Sequence, residues 1–316
     1  MALKILTFNW HEGYIHLLAK TGHQFDVTEV TKGGYYGWMN EFRPVPPNCR
    51  LISETEAEAH LKAGRYDRVI CHNIDDLTVV HQYPIPKLLI FHNKLSQSTV
   101  GVNEDVRNQF RKKLDHFIQL LDDLTLVFIS PMKRHDWGLK GEIILPGIDP
   151  AEYGGYEGNI EKALSIGNDI TDYTINYYND KLSGVPFTIL GDNPNIALSH
   201  LPSSWKEYKS FLRSYRAYMN IMEKDDDGYN LAMLEAMSTG MPVVARANPT
   251  SPIIDGVNGF LSESGEYLKE HLQELLKNRP LAIRLGRQGR DTVHEKFSLA
   301  KFISRWNEVI GEEPQA

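Results

Sequence analysis

The alternation of apolar runs with amphipathic segments is the feature that most constrains the fold of this 316-residue chain. Short strand-like runs such as LKILTF and KLLIFHN are separated by segments whose apolar residues recur at helical spacing, as between Val106 and Leu121. Strands that alternate with helices indicate parallel sheets in an α/β fold. The alternation stops in the Gly- and Pro-rich stretch PGIDPAEYGGYEGN (146–159) and then restarts. The sequence therefore predicts two doubly wound, Rossmann-like domains, 1–149 and 150–298.

The second half repeats the pattern of the first. KALSIGN and PFTILGD have the composition of buried strands, and WKEYKSFLRSYRAYMNIM (205–222) has the apolar spacing of one long helix. Further helices are predicted at GEYLKEHLQELLKN, PLAIRLGRQGRDTVHEKF and LAKFISRWNEVIG. Two such halves in succession predict a cleft faced by the carboxyl ends of both sheets, where folds of this kind bind ligands.

Composition and charge exclude several classes of protein. The net charge of −7 gives no overall attraction to nucleic acid, and no apolar run approaches the ~20 residues that span a bilayer. The opening MALKILTFNW has the pattern of a buried strand rather than of a signal peptide. Cys49 and Cys71 are too far apart for a metal motif. We expect a cytoplasmic protein, and the sequence does not predict its oligomeric state.

The stretch DDDGYNLAMLEAMSTGMPVV (225–244) carries the strongest chemical signal. Gly228 precedes an apolar run of helix length, and Gly240 closes that run before a buried strand. A helix begins with unpaired backbone N–H groups and a partial positive charge, which suit a phosphate. Glu235 lies eight residues after Asp227, about two turns along the helix, where it could accept hydrogen bonds from sugar hydroxyls. The combination suits a nucleotide diphosphate sugar.

This stretch resembles the signature of the retaining GT-B glycosyltransferases of the glycogen-synthase and phosphatidylinositol-mannosyltransferase type, family 4 of the carbohydrate-active enzymes. Other segments are similar to that family as well: RVICHN and LLIFHN in the first half, then GEIILPGIDPAEY, TILGDNPN, SPIIDGVNGFL and EKFSLAKFISRW. The resemblance implies the GT-B fold, with a last helix at 299–316 that crosses back to the first domain. It also implies transfer of a sugar from a UDP-, GDP- or ADP-sugar to a sugar, lipid or other small acceptor. Retention of configuration and the absence of a catalytic metal or cofactor are further implications.

In the second half, the resemblance implies a donor site. Glu235 would hold the ribose hydroxyls and Asp227 the hydroxyls of the transferred sugar, beside Gly228. The backbone N–H groups of Tyr229, Asn230 and Leu231 would face the sugar and the diphosphate.

In the first half, the resemblance assigns a catalytic role to His92, which would lie beside the donor sugar. The loop NWHEGY (9–14), with Gly13, would approach the diphosphate and the acceptor. His11, Glu12 and His72 are candidate residues on the acceptor side, although each would serve equally well as an ordinary polar residue after a strand.

The sequence departs from the family at the diphosphate. The family's Arg and Lys that cradle the diphosphate are replaced by Asn168 and Thr174, and its first Glu by the shorter Asp227. Three cations after two other strand-like segments could substitute for the missing pair: Lys133 and Arg134 in the first half, and Arg246 after the strand that follows the signature.

Several other interpretations stay open. The three aspartates also fit a solvated loop or the metal-binding D-x-D of the GT-A fold, but LEAMSTGMPVV favours GT-B. The basic face of VRNQFRKKLDHFIQLL fits peripheral membrane contact, although we favour an ordinary surface helix. For the whole chain, the alternatives are a degenerate homologue that binds a nucleotide or sugar as an accessory subunit, and, less favoured, a nucleotide-sugar epimerase.

Overall fold

The computed structural model describes residues 2–29, 37–95, 104–168, 170–221, 229–248 and 250–311. Two compact units contain these residues. The first comprises the chain up to Pro146 together with the segment from Ala300, and the second is Gly147–Leu299.

The first unit is built on seven parallel strands in the order β3-β2-β1-β4-β5-β6-β7. The strands are β1 (Lys4–Phe8), β2 (Gln24–Thr28), β3 (Cys49–Ile52), β4 (Arg68–Cys71), β5 (Lys87–Phe91), β6 (Leu124–Phe128) and β7 (Glu142–Ile143). The helices are α1 (Glu12–Ala19), α2 (Glu54–Lys62), α3 (Ile74–Val80), α4 (Glu104–Leu120) and α5 (Pro131–Trp137). The order reverses between β1 and β4, and ligands of doubly wound sheets bind at the carboxyl ends of the strands beside that point.

The second unit has six parallel strands in the order β10-β9-β8-β11-β12-β13. The strands are β8 (Ile160–Ile166), β9 (Phe187–Leu190), β10 (Ser199–His200), β11 (Tyr215–Asn220), β12 (Val243–Arg246) and β13 (Phe260–Ser262). The helices are α6 (Asp172–Lys181), α7 (Trp205–Ser214), α8 (Leu231–Thr239), α9 (Gly265–Lys277) and α10 (Arg279–Lys296). Counted from its own first strand, this sheet has the Rossmann order 3-2-1-4-5-6, and the first sheet has the same order with a seventh strand.

The prediction of one long helix over 205–222 is wrong. Helix α7 ends at Ser214, and the following residues form β11, which pairs with β8 and β12 in the middle of the sheet. A central strand covered on both faces needs no polar alternation, so its apolar residues also fitted helical spacing. Arg216 lies inside this strand and donates to the carbonyl oxygens of Gly158 and Leu276, which offsets the cost of burying its charge.

The last helix, α11 (Leu299–Gly311), buries Phe302 and Trp306. From Ala300 onward it is part of the first unit, where the Nε of Arg68 donates to the carbonyl oxygen of Ile310 at 2.9 Å. Arg305 also pairs with Glu142 at 2.6 Å. No helix within the described ranges is long and apolar enough to cross a bilayer.

Candidate functional site

Two histidines meet at the carboxyl edge of the first sheet. His72 follows β4 and His92 follows β5, which are adjacent strands. Their rings stack at 5.1 Å with an interplanar angle of 16°. The ring of Tyr14 packs edge-on against His92 at 4.8 Å. His72 and His92 were selected separately from the sequence, and the parallel sheet brings them together.

The hydrogen bonds of this pair fix which nitrogen of each ring carries the proton. The Thr7 hydroxyl donates its single proton to the Ile70 carbonyl oxygen at 3.1 Å, so at 2.9 Å it must accept from Nε2–H of His72. A neutral His72 then accepts at Nδ1, and the donor at 2.8 Å is Nε2–H of His92. His92 therefore keeps Nδ1 as an acceptor.

The charge state of the rings supports this assignment. Burial, assisted by the nearby His11, lowers the pKa of His72 to about 3. Burial also lowers the pKa of His92 well below its ordinary value, and His72, His11 and Lys133 add to that shift. Both rings are therefore neutral through the physiological range, and each carries one proton.

Replacing Thr7 by valine is expected to reverse the two tautomers. Valine has the same shape as threonine but offers no acceptor for His72 Nε2–H. His72 should therefore carry its proton on Nδ1, and this N–H donates to Nε2 of His92, whose own proton then lies on Nδ1. We expect the imidazole ¹⁵N shifts of histidine-labelled protein, assigned with single His72 and His92 variants, to show His92 protonated at Nδ1. The loss of the two hydrogen bonds of the buried Thr7 hydroxyl should lower the free energy of unfolding by about 1–3 kcal/mol.

Thr7→Ser is the matched control, because it keeps the hydroxyl and should keep the tautomers of the unmodified protein. His92 found protonated at Nδ1 before any substitution would contradict the assignment.

The loop predicted over 9–14 is shorter than expected. Glu12 and Gly13 are the first residues of α1, so Gly13 lies in a helical turn rather than in a loop. His11 is the N-cap of α1, and its Nδ1 accepts from the Tyr14 N–H at 3.3 Å. A polar N-cap and an acidic first turn favour a helix start, which explains why the helix begins before its first apolar residue.

The two first-half candidate cations differ in their surroundings. Lys133 is buried in the first turn of α5, with only 4% of its surface exposed, and its charge acts on His92. Arg134 is exposed and donates to the carbonyl oxygen of Gly141 at 3.3 Å.

In the second unit, asparagines tie together the turns after β8 and β9. Asn168 accepts from the Asp192 N–H at 2.9 Å, and Asn193 donates to the Gly167 carbonyl oxygen at 2.8 Å. Thr174, in the first turn of α6, donates to the Ile221 carbonyl oxygen at 3.5 Å. Asn168 and Thr174 therefore both serve local hydrogen bonds.

The helix of the sequence signature, α8, begins at Leu231, two residues later than Tyr229, where the predicted apolar run starts. Asn230 is its N-cap and accepts from the Met233 N–H at 3.0 Å, while Gly240 ends it in a left-handed conformation. The side chain of Tyr229 packs edge-on against Phe297 at 5.1 Å. The first helical N–H groups, those of Leu231 and Ala232, have no acceptor within the helix. Asp227 and Gly228 lie outside the described residues.

Glu235 is a buried acid in the second turn of α8, with 3% of its surface exposed. Its Oε2 accepts a hydrogen bond from the Tyr208 hydroxyl of α7 at 2.5 Å. A buried carboxylate needs such partners, and its position is fixed by packing between α7 and α8.

Arg246 ends β12 and lies against α6. Its guanidinium is 5.5 Å from the ring centre of Tyr173 and 5.8 Å from that of Tyr177, and it donates to the Tyr173 hydroxyl. Stacking on aromatic rings restricts the position of a guanidinium. Thr174 directly follows Tyr173 on α6, so Arg246 is next to the helix turn that contains Thr174.

Thr7, Tyr208 and Tyr173 were missed by the sequence analysis. Each lies inside a regular element, where polar atoms carry no motif of their own. Within the described part of the chain, no group of three or more His, Cys, Asp or Glu side chains could hold a metal ion.

Comparisons with known proteins support one fold. Residues 177–308, fewer than half of the chain, match the family model described as glycosyl transferase-like. A segment of 85 residues is 32% identical to the poly(ribitol-phosphate) alpha-N-acetylglucosaminyltransferase of Staphylococcus aureus, and it covers 25% of this chain but only 17% of that enzyme. The sequence similarity therefore spans a small part of this relative's length.

Two solved structures are similar over nearly the whole chain. Anabaena HepE in complex with UDP and glucose superposes with a TM-score of 0.73 at 13% identity, covering 98% of this chain and 99% of HepE. Sucrose-phosphate synthase of Thermosynechococcus elongatus gives 0.69 at 14% identity, covering 97% and 98%. The chain has the GT-B fold of these glycosyltransferases, with two Rossmann-like domains, as the sequence predicted.

Proposed function

We propose that the protein is a glycosyltransferase that moves a sugar from a nucleotide diphosphate sugar to a small acceptor, with retention of configuration and without a metal. The observation that carries the proposal is Glu235, a buried acid in the second turn of a helix that begins beside the carboxyl edge of the second sheet. This helix lies in the segment that matches a glycosyltransferase family model, in a GT-B fold.

In the proposed donor site, each protein group binds one part of the donor. Glu235 accepts hydrogen bonds from the ribose hydroxyls, held in place by Tyr208. The N–H groups of Leu231 and Ala232 meet the diphosphate, because a helix start favours negative charge. Asp227 would bind the transferred sugar, as the resemblance suggests. HepE is solved with UDP and glucose, so a UDP-sugar is the first donor to test.

We propose that Arg246 supplies the positive charge that Asn168 and Thr174 cannot. It is held against Tyr173, next to the helix turn where the family has its Lys. A fixed cation beside the departing diphosphate lowers the barrier, since it meets negative charge that grows in the transition state. Lys133 would instead act in the first unit, near His92.

Replacing Arg246 by alanine is expected to weaken binding of the nucleoside diphosphate about tenfold, because a charge-assisted hydrogen bond is lost. Binding of the nucleoside alone should stay within about twofold, since it has no phosphate to meet. Calorimetry with both ligands measures the difference. Arg246→Lys keeps the positive charge, and Tyr173→Phe keeps Arg246 itself. Both variants should therefore lose less affinity for the nucleoside diphosphate than Arg246→Ala does. Equal losses of affinity for the nucleoside and for the nucleoside diphosphate would contradict a contact between Arg246 and the diphosphate.

We propose that His92 acts through Nδ1, as an acceptor for a substrate hydroxyl. The deduced hydrogen bonds give that nitrogen a lone pair, and a neutral ring can accept without first losing a proton. Thr7 and His72 are positioning residues in this proposal, since they hold the tautomer.

The alternative is a homologue that binds a nucleotide or sugar as an accessory subunit without turnover. It is favoured by the uncharged Asn168 and Thr174, both used in local hydrogen bonds. A donor-hydrolysis assay with UDP-, GDP- and ADP-sugars separates the two, because the enzyme releases sugar from one donor while the accessory protein binds without release. Cytoplasmic location and peripheral membrane contact stay proposals.

A further inference from the structure

The first unit contains a cavity of about 1000 Å³ beside the histidine pair. It lies between the ends of β1, β4 and β5 and the helices α2 and α3. Much of its wall is apolar, formed by Leu6, Leu61, Leu89, Phe91, Phe110 and Trp137. A volume of this size suits a ligand of several hundred daltons, and an apolar wall favours an apolar body.

Hydrogen-bonding groups are concentrated at the strand ends that also line the cavity. His72 and His92 are both lining residues, together with Asn9, Asn73 and Asn93. Neutral histidine and asparagine side chains can both accept hydrogen bonds from hydroxyl groups and donate hydrogen bonds to them, without a charged partner. One end of a ligand in this cavity can therefore be polar while its body meets the apolar wall.

The charged residues of the lining are all acids. Glu54, Glu58, Asp75 and Asp76 are among the lining residues, and no Lys or Arg is, all of the lining belonging to the described ranges. Lys62 pairs with Glu58 and Lys113 with Asp75, each at 2.5 Å, but neither lysine lines the cavity.

The two helix starts at the cavity are already capped. The Ser53 hydroxyl accepts from the Glu56 N–H at 3.1 Å at the start of α2. Asn73 and Asp76 form a capping box at the start of α3, and Asp76 also accepts from the His72 N–H at 2.8 Å. Burial raises the pKa of Asp76 to about 7 against these donors. Lys133, whose charge reaches His92, is buried and is not one of the lining residues. A phosphate or carboxylate would thus find no Lys or Arg in the wall and no uncapped N–H group at these two helix starts, and would face acids.

We propose that this cavity takes the acceptor of the glycosyl transfer, and that the acceptor is an uncharged amphiphile: an apolar or aromatic body ending in hydroxyl groups, with no phosphate or carboxylate. The role of the ligand as an acceptor rests on the proposed function. The selectivity of the cavity for uncharged amphiphiles does not rest on it, because that selectivity can be measured without a donor.

The test uses three probes below their critical micelle concentrations: n-octyl β-D-glucopyranoside, n-octyl phosphate and methyl β-D-glucopyranoside. Trp10 and Trp137 line the cavity, so binding is followed by tryptophan fluorescence of the whole chain without nucleotide. We expect saturable binding of octyl glucoside, about tenfold tighter than octyl phosphate because of the acids, and no saturation by methyl glucoside over the same range.

Two variants place the binding in this cavity. Glu54→Lys should tighten octyl phosphate several-fold relative to octyl glucoside. Ala59→Lys adds the same charge to an exposed position of α2 that is not in the lining, and should leave the ratio unchanged.

Octyl phosphate binding as tightly as octyl glucoside, methyl glucoside binding as tightly as its octyl form, equal effects of the two lysine variants, or no binding of any probe would each overturn the inference. Since no donor is present, a failed transfer assay with intact probe selectivity would overturn only the proposed function.

Discussion

Replacing Gly286 by alanine is expected to lower the free energy of unfolding of the second unit by about 3 kcal/mol or more. Gly286 is buried in α10, where this helix crosses the turn after α8. An added Cβ would overlap the carbonyl oxygen of Gly240 and lie 2.7 Å from its carbon and 3.2 Å from the Pro242 nitrogen.

The turn at Gly240 cannot easily give way. Gly240 has a φ of 96°, and its N–H closes α8 on the carbonyl oxygens of Ala236 and Met237. Movement of the turn would shift the helix that holds Glu235, so folding and nucleotide binding should suffer together. Urea unfolding, followed by circular dichroism, measures the loss.

Gly289→Ala is the matched control on the same helix. Its added Cβ would lie 3.2 Å from the Asn258 carbonyl oxygen and 3.6 Å from the flexible end of Met237. The helix propensity gain of about 1 kcal/mol should offset the mild crowding and leave stability within about 1 kcal/mol of the unmodified protein. Equal unfolding midpoints for Gly286→Ala and the unmodified protein would contradict the close approach of α10 to this turn.

Replacing Glu235 by alanine is expected to weaken binding of both nucleoside and nucleoside diphosphate about 10- to 100-fold, because hydrogen bonds to an ionised carboxylate are the strong ones. This pattern differs from that expected for Arg246, where only the diphosphate loses affinity. Calorimetry with both ligands compares the two variants directly.

The substitution also leaves the buried Tyr208 hydroxyl without the carboxylate that it donates to, which should cost about 1–3 kcal/mol of stability. Glu235→Gln separates folding from binding, since its amide oxygen can still accept from Tyr208 while the charge is lost. Tyr208→Phe keeps the carboxylate and should change affinity by less than about threefold. If folded Glu235→Ala binds nucleotide with undiminished affinity, the assignment of Glu235 to the ribose hydroxyls is wrong.

The sequence predicted the elements with strong periodicity well. The last helix was predicted over LAKFISRWNEVIG, which are the residues of α11, because its apolar stripe is regular. The central strand β11 was mistaken for helix, because burial on both faces removed the alternation that marks a strand. The short β3 and β10 were missed because a few residues contain too little pattern.

The site could be predicted only in part. Motif positions selected His72, His92 and Glu235, and the parallel sheet explains why the two histidines meet. Their partners could not be predicted, because Tyr208 is 27 residues from Glu235 and Tyr173 is 73 from Arg246. Such pairs arise from packing rather than from local sequence. The order of donors from His92 to Thr7 likewise depends on distances that only a structure provides.

The most direct test of the proposed donor site is hydrogen–deuterium exchange of the unmodified protein with and without UDP, GDP and ADP. We predict that one of the three binds and slows exchange in the peptides that cover 229–239, where Asn230, the start of α8 and Glu235 lie. Failure of all three to bind, or protection that leaves 229–239 unchanged, would contradict the account.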